Sequence, residues 1–207
     1  RGEQMNTTQE KEGALETIYR RRSIRRFSSE PVSDTVIDTV LNAANQAPSA
    51  HNRQSWKFII IQGEKKEGLA SLITARAKDF SRPASSLLRM AARSIISAPT
   101  VIAVANTGEL ISHGKKIFSV DSERGYDFFR TMEIQSSAAA VENLLLAATS
   151  LQLATVWLGI LFLVKDEVLS YLEEPGGEFM AVVPIGYPAK GGKPPSKKPL
   201  DFVVKKL

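Results

Sequence analysis

The sequence predicts one domain that mixes helices with strands, of α+β or α/β class. Three observations carry this. Val36, Ile37, Val40, Leu41 and Ala44 recur at helical spacing behind Ser33 and Asp34, which predicts an amphipathic helix with one buried face. Runs of β-branched and aromatic residues at 56–61, 101–105 and 179–185 stand between helical stretches, as strands in a layered fold do. The chain has 207 residues, 43% hydrophobic and 24% charged, enough to close a core of its own.

Each element has its own local reason. Residues 12–22 read as a helix that runs into an arginine cluster. Ser33 is a suitable N-cap, Asp34 suits the first turn, and Pro48 ends that helix. Residues 64–78 and 85–96 are helical, and Pro99 leads into the second strand. The polar stretch 106–125, with three glycines, reads as a lid or insertion. Residues 126–151 form a long helix, apolar on nearly every side, which suits a domain centre or a subunit interface. A third strand at 154–158, a short helix at 165–172 and a turn at 173–177 precede the fourth strand. A Gly-, Pro- and Lys-rich linker, 186–199, leads to a last extended run, 200–204. The domain is expected to span 12–207, with a C-terminal arm at 189–207 whose Phe202, Val203 and Val204 need another subunit to cover them. Residues 1–11 are expected to be flexible, with 1–4 ahead of Met5 a remnant of expression.

Composition removes several chemistries. There is no cysteine, so disulfides, thiolate catalysis and cysteine-ligated metals are excluded. His51 and His113 lie far apart in sequence, which argues against a histidine metal site and leaves the metal set at none. The apolar stretch 138–164 is broken by Glu142, Asn143 and Gln152, so it reads as a buried helix and strand, not a membrane span. With no apolar leader, the expected location is cytoplasmic. The formal charge of +5 and the pI near 9.5 favour anionic partners without choosing among them.

Two segments flanking the first amphipathic helix carry the functional signal. Residues 20–26 hold five arginines and Ser23, a dense donor set for a phosphate. Residues 48–54 hold Ser49, Asn52 and Gln54 in a turn opened by Pro48; amides there suit the edge of a heterocycle. Phosphate at one end and heterocycle at the other outline a nucleotide cofactor. The plainer readings are a solvated or nucleic-acid-binding arginine face, and a turn that merely satisfies itself. Arg20 and Arg26 read as exposed. Arg93 reads either as a cofactor ligand or as a surface arginine.

Four motifs in order resemble the FMN-dependent nitroreductase family. They are Arg21-Arg22-Ser23-Ile24-Arg25, the segment Ala47 to Trp56, Gln135 to Trp157, and Pro184-Ile185-Gly186-Tyr187-Pro188 followed by Lys197-Lys198-Pro199-Leu200. The resemblance covers most of the chain and is weakest over 106–125. It implies an α+β three-layer sandwich, with a mostly antiparallel central sheet flanked by helices and a domain-swapped C-terminal arm. It implies an obligate homodimer with FMN at the interface, NADH or NADPH as donor, and ping-pong hydride transfer to a nitroaromatic, quinone or related small-molecule acceptor. Arg21, Arg22, Ser23 and Arg25 would hold the phosphate and ribityl chain. Pro48, Ser49, Ala50 and Asn52 would line the ring, partly from the second subunit, Trp157, Leu158 and Gly159 would present backbone near N5, and Lys197 and Lys198 would return to the phosphate. No side chain is expected to be catalytic, since the flavin does the chemistry.

The chain departs from the pattern at Ser55, where the family usually has proline, and at Leu158, where some members are acidic. It also lacks the glycines many members carry at 151–154. Rival expectations are a specialised member of the fold (a benzimidazole synthase, a dehalogenase or a deazaflavin-linked reductase) and a basic nucleic-acid-binding module.

Overall fold

Strand β2, Thr100–Asn106, is buried at all seven positions, because it lies inside a sheet covered on both faces. The computed structural model describes residues 13–117, 122–191 and 194–207; the expected flexible start, 1–11, lies outside the described residues. β2 pairs antiparallel with β1, Trp56–Ile61, in the register Trp56↔Asn106 to Ile61↔Val101. On its other side it pairs antiparallel with β4, Glu178–Gly186. The two-residue β3, Ala154–Thr155, closes the order β1-β2-β4-β3.

Side chains alternate across the sheet and build two cores. Val101, Ala103 and Ala105 join the core formed with helices α3 (Gly63–Arg76) and α4 (Ala84–Ser97). Ile102 and Val104 join the core formed with α2 (Asp34–Asn45) and α6 (Ser122–Ser150). The result is helices, sheet, helices: the expected α+β sandwich with an antiparallel centre. The β2–β4 register shifts between Val104 and Ala105, so Met180 and Ala181 both face the α2/α6 side, as a bulge requires. Each fully buried leucine or isoleucine in these layers contributes about 1.5–3 kcal/mol.

Local differences from the sequence reading have local causes. Ser33 is the N-cap residue of α2 by backbone geometry, but its hydroxyl makes no capping bond. The carbonyl of Ser33 instead accepts Val36 and Ile37 N–H groups. The third strand stops at Thr155, and residues Gly159–Val164 coil as a 3-10 turn into α7, Lys165–Tyr171. The expected extended run at 200–204 is a 3-10 turn at Leu200–Phe202. The polar stretch read as a lid contains α5, Glu109–Ile117, and the first turn of α6. Its glycines mislead: Gly108 has φ +76 just ahead of α5, and Gly114 sits where a Cβ would collide with the buried ring of Phe129. Gly114 is therefore a packing position and not a loop signal. α6 itself has one buried face, with Ala140, Val141, Leu144 and Ala148 in the core, while Tyr126 and Phe128 are half exposed. Among the described residues, no helix is long and apolar enough to cross a membrane.

Candidate functional site

The arginine segment leaves helix α1, Ala14–Arg20, and is stitched to the sheet edge. Ser23 bridges Thr155 in parallel, and the Ile24 N–H donates to the Thr155 carbonyl at 2.9 Å. Phe27 bridges Pro188, and the Ala189 N–H donates to the Arg26 carbonyl at 3.1 Å. Phe27 is buried by this pairing, whereas Ser23 and Arg25 are exposed.

The five guanidiniums do not act as one patch. Arg22 turns back, donating to the Tyr19 carbonyl at 2.6 Å and the Arg21 carbonyl at 2.7 Å, and so holds the end of α1. Arg20 donates to Gln152 Oε1 at 3.0 Å. Arg21 lies 3.8 Å from Glu142. Arg20 and Arg22 line a cavity of about 250 Å³ with Thr149, Gln152 and Pro188. Arg25 and Arg26 instead line a larger one, about 1050 Å³, together with Arg93 and Lys78. Its walls include Phe27 and Met90 with the hydroxyls of Ser94 and Ser97, and none of its lining residues is acidic. The structure thus brings Arg25 and Arg93 together. Arg26 is exposed, as read, and also lines this cavity, as does Lys78, which no sequence pattern marked.

The turn after α2 is held in an unusual backbone. His51, Asn52 and Gln54 have φ of 52, 50 and 50, left-handed values that non-glycine residues seldom adopt. The loop locks itself. The Gln54 N–H donates to Ser49 Oγ at 3.0 Å, and Gln54 Nε2 donates to Asn52 Oδ1 at 3.1 Å. Ala50 N–H donates to Ser136 Oγ at 3.2 Å, tying the loop to α6. The polar groups of Ser49, Asn52 and Gln54 thus bond to one another within the turn. Pro48 and Ala50 stay at least partly exposed beside them.

At the third motif, Leu158 is buried, and its N–H donates to the Val182 carbonyl at 2.9 Å. Neither its side chain nor its N–H is presented outward. Gly159 is exposed, and a Cβ there would meet nothing within 4 Å. Trp157 packs against the α2/α6 core. Lys197 and Lys198 lie on the exposed tail.

Behind the loop lies a buried acid that the sequence did not mark. Glu133 on α6 is 1% exposed, and its Oε1 accepts the Leu110 N–H at 2.7 Å. Burial pushes its pKa up, while the N–H groups of Leu110 and Ile111 and the Ser55 hydroxyl pull it down. Ser55 Oγ and Glu133 Oε2 are both buried without a well-aligned hydrogen bond, so the hydroxyl acts on the carboxyl by proximity. Nearby, Ser137 donates to Asn106 Oδ1.

These features define a class: an α+β sandwich with a cation-lined, apolar-walled cavity and a strained loop packed on its longest helix. The sequence profile of the nitroreductase family matches residues 18–187. Over 182 residues the chain is 33% identical to an Archaeoglobus fulgidus protein assigned as an NADH dehydrogenase/NAD(P)H nitroreductase, with 86% of each chain covered. A solved BluB-like flavoprotein from Clostridium difficile has a TM-score of 0.78 at 26% identity, covering 95% of this chain and 99% of that one. A Desulfovibrio desulfuricans protein assigned as a nitroreductase, crystallised with FMN, gives a TM-score of 0.70 at 27% identity, covering 95% and 97%. The chain belongs to the nitroreductase family and is an oxidoreductase.

Proposed function

We propose that this chain is an FMN-dependent NAD(P)H oxidoreductase that passes two electrons to a nitroaromatic, quinone or related small-molecule acceptor. The observation that carries this reading is the cavity of about 1050 Å³ where Arg25, Arg26, Lys78 and Arg93 meet apolar walls. That volume suits a cofactor, and the residues fit an aromatic group bearing an anionic chain. The FMN complex of the relative at 27% identity supports the same choice. When bound, FMN supplies the hydride chemistry.

The chain's own residues bind and orient. Arg25 and Arg93 both line the cavity; Arg93 would hold the electron-rich edge of the ring and Arg25 the phosphate or ribityl chain. Arg21, Arg22 and Ser23 would serve the phosphate and ribityl hydroxyls, with Arg22 released from its two carbonyls when it does so. Pro48, Ser49, Ala50, Asn52 and Gln54 do not line this cavity; their loop packs on α6, and they would reach the ring partly from the second copy. With the Leu158 N–H engaged inside the sheet, the open face of Gly159 is the part of its turn that can approach the ring closely.

A second copy is expected to complete the site. Leu200, Phe202 and Val203 are 73%, 79% and 63% exposed, a costly arrangement for an isolated chain. Covering them in a homodimer would bring Lys197 and Lys198 of the arm toward the phosphate. The nucleic-acid reading is weaker, because Arg20, Arg21 and Arg22 are each turned toward groups of the protein itself. The test is the spectrum of the purified protein: a flavin band that bleaches with NADH or NADPH without oxygen supports the proposal, and a colourless protein defeats it.

A further inference from the structure

The chain's only two histidines meet in space. His51 sits in the strained loop, His113 on α5, and their ring centroids are 6.0 Å apart at an interplanar angle of 64°. We propose that His51 and His113 form an anion-selecting rim that holds the carboxylate or phosphate of a small-molecule redox partner. The assignment rests on the oxidoreductase reading, which places the loop 48–54 beside the reacting ring.

The electrostatics favour an anion over a metal. The pKa of His113 is lowered by desolvation and then by Arg53, His51 and Lys116. Every charge in that set is cationic, from the loop on one side and from its own helix on the other. A metal ion would add to this repulsion, whereas a carboxylate or phosphate would relieve it.

Both supports are held by hydrogen bonds that fix where the two rings stand, as a recognition rim requires. His51 is held at φ 52 by a loop closed through Ser49 and Gln54, and left-handed strain of this kind collects at functional positions. α5 is fixed from beneath, where Leu110 N–H meets Glu133 Oε1 and Gly114 lies on the Phe129 ring. The loop and α5 are thus both tied to α6, the loop through Ala50 N–H and Ser136 Oγ and α5 through Leu110 N–H and Glu133 Oε1.

Two histidines give two imidazole signal sets, so side-chain NMR of the flavin-loaded protein reads the rim directly. Inorganic phosphate and 4-nitrobenzoate should each raise the apparent pKa of His113. Kinetics then separate the sources. If the rim serves the acceptor, His113→Gln lowers kcat/KM for 4-nitrobenzoate relative to nitrobenzene by about tenfold, the loss of one charge-assisted hydrogen bond. If it serves the 2′-phosphate of the donor, the same variant lowers the preference for NADPH over NADH. Imidazoles indifferent to both anions, or two ratios that do not move, overturn the rim. A protein that never takes up flavin instead sinks the oxidoreductase reading, and the redox-partner assignment with it.

Discussion

Glu133 Oε1 accepts the backbone N–H of Leu110 at 2.7 Å, so a buried carboxyl on α6 holds the first turn of α5. The pH consequence follows from the direction of its shift. Burial raises the folded pKa above the ordinary value of 4.5, so the folded state keeps its proton longer than the unfolded chain. The stabilising contribution is then fully present below that value and is lost as pH rises through the folded pKa. Glu133→Gln keeps one acceptor for Leu110 and removes the titration. Urea unfolding from about pH 4 to about pH 8 should show the variant gaining on the parent as pH rises. A difference that stays flat with pH sinks the argument.

Gly114 faces the ring of Phe129, a residue that is 1% exposed. Alanine would add helix propensity of roughly 1 kcal/mol, but it must displace a buried aromatic ring, an overpacking cost of about 1–3 kcal/mol. Gly114→Ala should therefore destabilise, and pairing it with Phe129→Leu should recover part of the loss. Thermal unfolding of the single and double variants decides this. A stabilised single variant means that the α5–α6 contact is looser than described.

How legible these contacts were in the sequence depends on their range. α2 follows from a helical periodicity, and β1, β2 and β4 from apolar β-rich runs, that adjacent residues carry, and tertiary packing agrees with them. α5 was hidden because Gly108 and Gly114 act as loop signals locally, while the reason for Gly114 lies on another helix. Arg25 and Arg93 were both readable as cofactor candidates, but their shared cavity comes from pairing 21–28 with the sheet edge. The return of Arg22 to Tyr19 and Arg21 depends on where α1 ends. Glu133 and the His51–His113 pair carry no local pattern at all, since their partners are set by the fold.

Arg25 and Arg93 reach the same cavity from different elements. On the FMN reading, Arg25→Ala and Arg93→Ala should each weaken FMN by about tenfold or more, as charge-assisted bonds worth about 1.5–3 kcal/mol are lost. Fluorescence quenching of FMN titrated into apoprotein measures this directly. Unchanged affinity in both variants would remove the cavity from the cofactor site. Arg22→Ala should differ, losing FMN affinity and also loosening α1, because Arg22 caps the carbonyls at its end.

The arm makes a prediction about assembly. Leu200, Phe202 and Val203 are exposed, and on the homodimer reading a partner covers them. Truncation before Pro194 should then lower both dimer stability and flavin occupancy. Light scattering alongside absorbance reads the two together. A flavin-loaded monomer of the full chain at micromolar concentration contradicts the assembly.

The sharpest separation of folding from function falls at Gly159. It is exposed, and a Cβ there meets no atom of the chain within 4 Å. Its backbone is not in the left-handed region that favours glycine. Packing and strain therefore give no folding reason for glycine at this place. On the FMN reading there is a functional one: the turn after Trp157 and Leu158 must approach the ring closely, and a branched side chain would stand in the gap. Gly159→Val should unfold within about 1 kcal/mol of the parent, as exposed substitutions usually do, while flavin affinity or hydride transfer falls at least tenfold. Equal losses of stability and activity would point to packing, and an unaffected enzyme would place the ring elsewhere.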